Sequence, residues 1–137
     1  MRLLASFVCD AASIRENLGQ ILGAGVSRIR PETYPVPIGV DFFALLEVSG
    51  IGTQSATEIS IALRQAATQV PVSEISATLD FPEIQRTGAE TLNVPMVFPT
   101  RYMIVSEPGE YEFVLTIPGV DLVAVPLTMR PGSAHEE

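Results

Sequence analysis

The sequence has no lysine and no tryptophan, and it contains one histidine, His135, and one cysteine, Cys9. Without lysine, the chain cannot supply the ammonium group of a Walker phosphate loop, a Schiff base or a pyridoxal phosphate linkage. A lone histidine among the last three residues leaves the folded body without the usual base for a nucleophile. A single cysteine cannot form an internal disulfide. We therefore expect a protein that is not an enzyme and that binds no cofactor and no metal.

Positive charge is also scarce. Eight arginines stand against 16 acidic residues, so the formal net charge is −8. A surface of that sign repels phosphate groups, and neither nucleic acid nor an anionic membrane is an expected partner. No segment approaches the roughly 20 apolar residues of a membrane-spanning helix. The apolar run from Leu3 to Val8 is shorter than the roughly 7–15 residues of a signal-peptide core. These features predict a cytoplasmic protein.

An alternating pattern predicts a β-hairpin in the last third of the chain. From Glu110 to Ile117 the sequence is EYEFVLTI, in which large apolar residues occupy every second position. Pro118 and Gly119 fit the centre of a type II turn, because glycine accepts the positive φ that this turn requires. An apolar second arm follows from Leu122 to Met129. Pro126 cannot donate a ladder hydrogen bond, so this arm is expected at a sheet edge or a bulge.

Further segments have the composition of strands. Alternation also marks residues 58–64 and 74–81, and short strands are predicted at 94–98 and 102–105. Residues 40–48 (VDFFALLEV) are apolar on both faces, which is typical of a central strand or of one whose outer face is covered.

The number and length of these segments predict the fold class. About eight short, mainly antiparallel strands, separated by glycine and proline, favour an all-β protein built as a two-layer β-sandwich. A small β-barrel is the alternative. We expect one domain over residues 1–130 and a flexible polar tail over residues 131–137.

The first thirty residues allow two interpretations. Ser13 to Glu16 has the form of a capping box, and apolar residues at helical spacing follow it, which indicates a short helix over residues 13–22. The competing interpretation is a strand from Leu3 to Cys9, a turn at Gly19 and a strand from Ile21 to Ile29. Because glycine inside a helix costs about 1 kcal/mol relative to alanine, we favour the strands.

Two stretches resemble a known family. These are LLASFVCDAASIRENLGQILGAGVSRI near the start of the chain and EPGEYEFVLTIPGVDLVAVPLTM near its end. Together they resemble a family of short, uncharacterised bacterial proteins that carry a domain of unknown function. The resemblance spans residues 3–129. It implies a β-sandwich and favours a hairpin over residues 11–29. It implies no activity and transfers no functional residues.

Polar residues offer little catalytic chemistry. In the Cys9–Asp10 pair, a neighbouring carboxylate disfavours the thiolate, so we expect Cys9 to close a strand rather than to act as a nucleophile. Glu107, Glu110 and Glu112 are expected on a solvated strand face rather than at a calcium site. Asp41 and Glu47 are six residues apart in an apolar strand, about 20 Å, and cannot share a substrate atom. One of them paired with an arginine from a neighbouring strand is the more ordinary arrangement.

These observations favour a non-enzymatic protein-interaction module or small structural subunit, and self-association into a homo-oligomer is one form of this function. Phe42 and Phe43 point to opposite faces of one strand, so we expect one of them to be exposed unless a partner or a second copy covers it. Proline-flanked segments add further apolar side chains. The candidate interaction surface therefore comprises Phe42, Phe43, Tyr34, Met96, Phe98 and Tyr102.

Two other functions are weighed against this one. A barrel interior would bind a small apolar ligand. An enzyme with an unusual anion site is the weakest possibility, and it would use Arg28, Arg30 and Arg101.

Overall fold

The structure, a computed structural model, describes residues 1–49, 56–80 and 91–132. It confirms the all-β prediction. The described residues contain eleven strands, eight of which have seven residues or more, and one 3₁₀ turn at Thr100–Tyr102. The strands are β1 (Arg2–Arg15), β2 (Leu18–Ala24), β3 (Arg28–Ile29), β4 (Val36–Pro37), β5 (Asp41–Val48), β6 (Ala56–Gln65), β7 (Pro71–Asp80), β8 (Leu92–Phe98), β9 (Ile104–Val105), β10 (Gly109–Thr116) and β11 (Val123–Met129).

The strands form two main sheets and one small ribbon. The first sheet has the order β2-β1-β5-β8, and the second has the order β3-β11-β10-β6-β7. The pair β4-β9 forms the ribbon. All pairs are antiparallel except β11 with β3. The described strands thus lie in separate sheets, as in a sandwich, rather than in one closed sheet.

One hydrophobic core joins the two main sheets. Phe42 of β5 is fully buried, and its ring lies 5.5 Å, centroid to centroid, from that of Phe113 in β10. Leu46 from the first sheet and Ile61 from the second are also fully buried in this core. Alternation places one apolar row of each strand on the inner face, and the two rows meet there.

The β10–β11 hairpin confirms the pattern seen in the sequence. Gly119 has a φ of 81°, the left-handed value that the second central position of a type II turn requires. Pro126 lies opposite Glu112 of β10. On its other side β11 pairs with β3 only at Thr128 and Met129, so no described strand lies beside Pro126 there. The missing N–H therefore leaves no ladder partner unsatisfied.

The first thirty residues form strands, as favoured, but the turn is not at Gly19. Arg15 pairs with Leu18, so the turn consists of Glu16 and Asn17. Their φ values are 53° and 61°. Two consecutive positive values are the signature of a type I′ turn, which matches the twist of the flanking strands.

Other predictions differ in detail or fall outside the described residues. Tyr102 lies in the 3₁₀ turn and not in a strand, because the chain curls after Pro99. Phe81, and residues 133–137 of the predicted tail, lie outside the described residues.

Candidate interaction surface

Four of the six residues predicted at an interaction surface are buried. The exposed fraction is 0 % for Phe42, 4 % for Phe43, 6 % for Met96 and 3 % for Phe98. The expectation that they offer a docking surface is therefore wrong for the chain as folded. Phe42 and Phe98 pack edge to face within the core, with ring centroids 6.2 Å apart. Phe43 points to the opposite face of β5, where another part of the same chain covers it.

The two tyrosines have different surroundings. Tyr34 is partly buried, and its hydroxyl donates a hydrogen bond to the carbonyl oxygen of Arg130. Burial raises the pKa of Tyr34 above its ordinary value of 10.0. Tyr102 is 76 % exposed. Of the predicted surface, only Tyr102 is fully available to a partner.

The cover over Phe43 is the β1–β2 hairpin. Phe43 pairs with Phe7 of β1, and their rings stack with centroids 5.3 Å apart. Gly19 pairs with Ile14, seven residues further along β1, which in a straight strand is about 23 Å away. Yet a Cβ placed on Gly19 would lie 2.6 Å from Cε2 of Phe43. The hairpin must therefore bend back over the outer face of the first sheet.

The bend lies where the β1–β2 ladder is interrupted. The ladder pairs Cys9 with Ala24 and Ala11 with Leu22, but it omits Asp10 and Gly23. Gly23 has a φ of 66°, and its α-carbon lies against the Asp10 carboxylate. A side chain at position 23 would meet both that carboxylate and the strain of a left-handed backbone. Glycine at this position thus allows the hairpin to turn back.

The folded-back hairpin exposes the outer edge of β2. In a two-residue hairpin the residues flanking the turn, Arg15 and Leu18, exchange both hydrogen bonds. From this register Leu18, Gln20 and Leu22 direct their N–H and C=O groups towards β1. Gly19 and Ile21 direct theirs away from it. No described strand pairs with that side of β2. The edge therefore presents two free donors and two free acceptors.

Apolar side chains accompany these free backbone groups. Leu18 is 63 % exposed and Leu22 is 70 % exposed, and both lie on the face of β2 that points away from Phe43. Gln20 lies between them on the same face. On the other face, Ile14 and Ile21 are 46 % and 38 % exposed. We call β2 and these four aliphatic residues the β2 edge.

The β2 edge lacks the devices that commonly protect an exposed strand. From position 17 to position 27 the sequence is NLGQILGAGVS, which contains no charged residue and no proline. Edge strands of monomeric proteins usually carry one or the other to prevent pairing with another chain. Exposed apolar patches of this kind are common at the contact sites of proteins. The aliphatic residues of this edge also have helical spacing in the sequence, so the sequence pattern did not identify them as a strand edge.

A buried ion pair lies at the base of the hairpin. The side chain of Asp41 is 7 % exposed and accepts bonds from Arg101 Nε at 3.1 Å and Arg101 Nη2 at 2.9 Å. Arg101 Nη2 also donates to the carbonyl oxygen of Asp10 at 2.8 Å. The hydrogen bonds that Arg101 donates to Asp41, and then the charge of Asp41, raise the pKa of Arg101. The pair thus ties the 3₁₀ turn to the start of β5 and to the bend.

Cys9 belongs to the same buried region and has no catalytic environment. It is 0 % exposed, and its Sγ lies 3.5 Å from the carbonyl oxygen of Asp41. Burial, followed by the charges of Asp41 and Asp10, raises the pKa of the Cys9 thiol above its ordinary value of 9.0. A buried neutral thiol is a poor nucleophile.

The other acidic residues singled out in the sequence have structural partners. Glu47 accepts a hydrogen bond from Arg2 at 3.1 Å. Arg2 belongs to β1, which pairs with β5, so the predicted pairing of one of the two acids with an arginine of a neighbouring strand is confirmed at Glu47. Asp41 pairs instead with Arg101 of the 3₁₀ turn. Glu112 is paired with Arg64 at 2.6 Å. Glu110 accepts a bond from Thr128 at 2.7 Å, and Glu107 accepts one from the Gln65 side chain at 3.3 Å.

The three arginines considered for an anion site do not act together. Arg101 is committed to Asp41. Arg28 and Arg30 line an open cleft of about 350 Å³ with Ile29 and Arg130. Within residues 1–49, 56–80 and 91–132, no three His, Cys, Asp or Glu side chains are grouped closely enough to hold a metal ion. The same ranges contain no helix of the length and apolar character needed to cross a bilayer.

Comparison with known proteins places the chain in a family but attaches no activity to it. A search of curated proteins finds no match to this sequence. The model of a family of unknown function, DUF6941, matches residues 4–130, and this span contains both sheets and the β2 edge. The resemblance noted in the sequence is thereby confirmed, and the chain belongs to the family of unknown function DUF6941.

Proposed function

We propose that this protein is a non-enzymatic interaction module, or a small structural subunit, that docks through the β2 edge. The observation that carries the proposal is an uncharged strand edge with two leucines more than 60 % exposed. A polypeptide that adds a strand here gains backbone hydrogen bonds from Gly19 and Ile21. It also covers Leu18 and Leu22. Strand addition of this kind is a common mode of protein recognition.

The contacts that hold the β1–β2 hairpin in place favour a docking role for it over a flexible one. Gly19 rests on the Phe43 ring, and that ring is stacked on Phe7. The Asp41–Arg101 pair holds the base of the hairpin. A strand that is already held in its extended form loses little conformational entropy when a partner binds.

The interior of the protein gives less support to the alternative function, a barrel that binds a small apolar ligand. Large side chains from both sheets occupy the space between them, among them Phe42, Phe113, Leu46 and Leu127, each fully buried. Ligand sites are concave and enclose most of their ligand.

We also propose that the protein acts in the cytoplasm, since its single cysteine is free and buried.

The proposal is tested by quantitative affinity purification of three forms of the tagged chain from its native lysate. The first form is wild type. The second is Leu18→Glu/Leu22→Glu, which places two charges on the β2 edge. The third is Val70→Glu/Leu122→Glu, a matched control with the same two charges at residues that are 52 % and 61 % exposed and lie outside β2.

We expect wild type and the control to retain a stoichiometric protein, whether another protein or an untagged copy of this chain. The β2 variant should lose it, because a charge in the contact must be desolvated. All four substituted side chains are exposed, so none of the three forms should differ in folding. Equal retention by the β2 variant and the control would rule out docking through β2.

A further inference from the structure

We infer that the β2 edge pairs with the β2 edge of a second copy of this chain, antiparallel and centred on Gln20. This inference rests on the proposed function and names its partner. It would join two hairpins into one four-stranded ribbon in the order β1-β2-β2-β1. A two-fold interface of this kind requires that one surface be complementary to itself.

The backbone of β2 meets that requirement. The free groups belong to Gly19 and Ile21, which lie symmetrically on either side of Gln20. In the antiparallel arrangement centred on Gln20, Gly19 of one copy lies opposite Ile21 of the other. Each such pair exchanges two N–H···O=C hydrogen bonds, so the two equivalent pairs form four. No free backbone group of residues 19–21 is then left unpaired.

The side chains fit the same register. Leu18 of one copy lies opposite Leu22 of the other, and the symmetry repeats this contact. These are non-hydrogen-bonded pairs, in which the side chains approach most closely. On the opposite face Ile21 lies across from Gly19, which has no side chain to collide with it. Four exposed leucines become two cross-strand pairs without a steric conflict.

Charge argues for this partner as well. Each copy carries a net charge of −8, so most surfaces of two copies would repel each other. Residues 17–27 carry no charge, and the proposed contact sets no like charges directly opposite each other. The contact is short compared with a standard interface of about 1,600 Å², so we expect a reversible dimer that forms at micromolar concentration.

Disulfide trapping tests the register on the purified chain. Gln20→Cys places a thiol at the symmetry centre, where the two Cα atoms would be about 4.5 Å apart, within disulfide range. Ser13→Cys is the matched control, because Ser13 pairs with Gln20 inside the same hairpin and both side chains are exposed to solvent. The two copies of Ser13 would be three strand spacings apart, about 14 Å, beyond disulfide reach.

Under mild oxidation we expect Gln20→Cys to convert to a covalent dimer of twice 14.7 kDa and Ser13→Cys to stay monomeric. Native Cys9 is fully buried and should not contribute. Cross-linking of both variants at the same rate, or of neither, would overturn the inference.

Charge pairs provide a second test that needs no oxidation. In the proposed register Leu18→Lys/Leu22→Glu sets each lysine opposite a glutamate, whereas Leu18→Glu/Leu22→Glu sets glutamates opposite each other. By sedimentation we expect the first variant to retain the doubled mass and the second to be monomeric. Loss of the dimer in both variants would contradict this register.

The self-pairing of β2 and the more general docking through β2 can be refuted independently of each other. If wild type is monomeric at every concentration, the self-pairing is wrong. If the lysate experiment then still recovers another protein in a manner that depends on Leu18 and Leu22, docking through β2 stands with a different partner.

Discussion

The contact between Gly19 and Phe43 provides the sharpest test of how the hairpin is held. In Gly19→Ala the new Cβ would lie 2.6 Å from Cε2 and 2.7 Å from Cζ of Phe43. Carbon atoms in contact are normally about 3.5–4.0 Å apart, so the ring or the hairpin must move by about 1 Å. The ring is 4 % exposed and stacked on Phe7, which leaves it little room.

The expected change in the free energy of unfolding in Gly19→Ala is the difference between two opposing effects. Overpacking of a buried site costs about 1–3 kcal/mol. Alanine is favoured over glycine within a strand by about 0.5–1 kcal/mol, and Gly19 does not have the left-handed backbone that would cancel this gain. The free energy of unfolding should therefore fall by about 1–2 kcal/mol. For a chain of this length the melting temperature should fall by roughly 3–8 °C.

The assay is a double-mutant cycle with Phe43→Leu, measured by urea denaturation. Leucine removes the ring atoms that the new methyl group would meet. In that background Gly19→Ala should become stabilising by about 0.5–1 kcal/mol, so the coupling energy should be about 1–3 kcal/mol. If Gly19→Ala stabilises the wild-type chain and the coupling is near zero, the hairpin does not rest on Phe43.

Further predictions concern the bend and the residues at its base. Gly23→Ala should lower the free energy of unfolding by about 1–3 kcal/mol in urea denaturation, because it adds left-handed strain to a contact with the Asp10 carboxylate; an unchanged midpoint would contradict this. Arg101→Met leaves the buried Asp41 carboxylate without its cation. It should therefore lower the melting temperature more than the double variant Asp41→Asn/Arg101→Met does. Equal decreases in melting temperature would mean that the two residues are not coupled. The folded-state pKa of Cys9 is raised, so this thiol should leave the free energy of unfolding unchanged below pH about 9 and lower it above that pH, where only the unfolded thiol ionises. Cys9→Ala should flatten that decline, and native Cys9 should react with a thiol reagent only as fast as the chain unfolds.

Local patterns were enough to predict the strands. The alternation from Glu110 to Ile117, with Pro118-Gly119 after it, corresponds to β10 and its turn, because a period of two depends only on neighbouring positions along the chain. The apolar composition of residues 40–48 predicted a central or covered strand. β5 is both, with β1 and β8 on its two sides and the hairpin over Phe43. An arginine partner was predicted for one of Asp41 and Glu47, but which arginine reaches which carboxylate depends on the tertiary structure.

The interaction surface could not be located in this way. A strand pattern shows that Phe42 and Phe43 point to opposite faces, but not that Gly19 lies on the second face. The position of the turn, at Glu16–Asn17 rather than Gly19, depends on two residues that glycine-based rules do not select.

What the sequence alone determined is therefore the all-β class, most strands and the acidic charge, since each follows from composition or from contacts between near neighbours. Only the tertiary structure decided which apolar residues are exposed. The bend at Gly23 brings the hairpin back over Phe43, which buries that side chain and leaves Leu18 and Leu22 at a free edge. Burial is a property of chain segments distant in sequence, and no local pattern contains it.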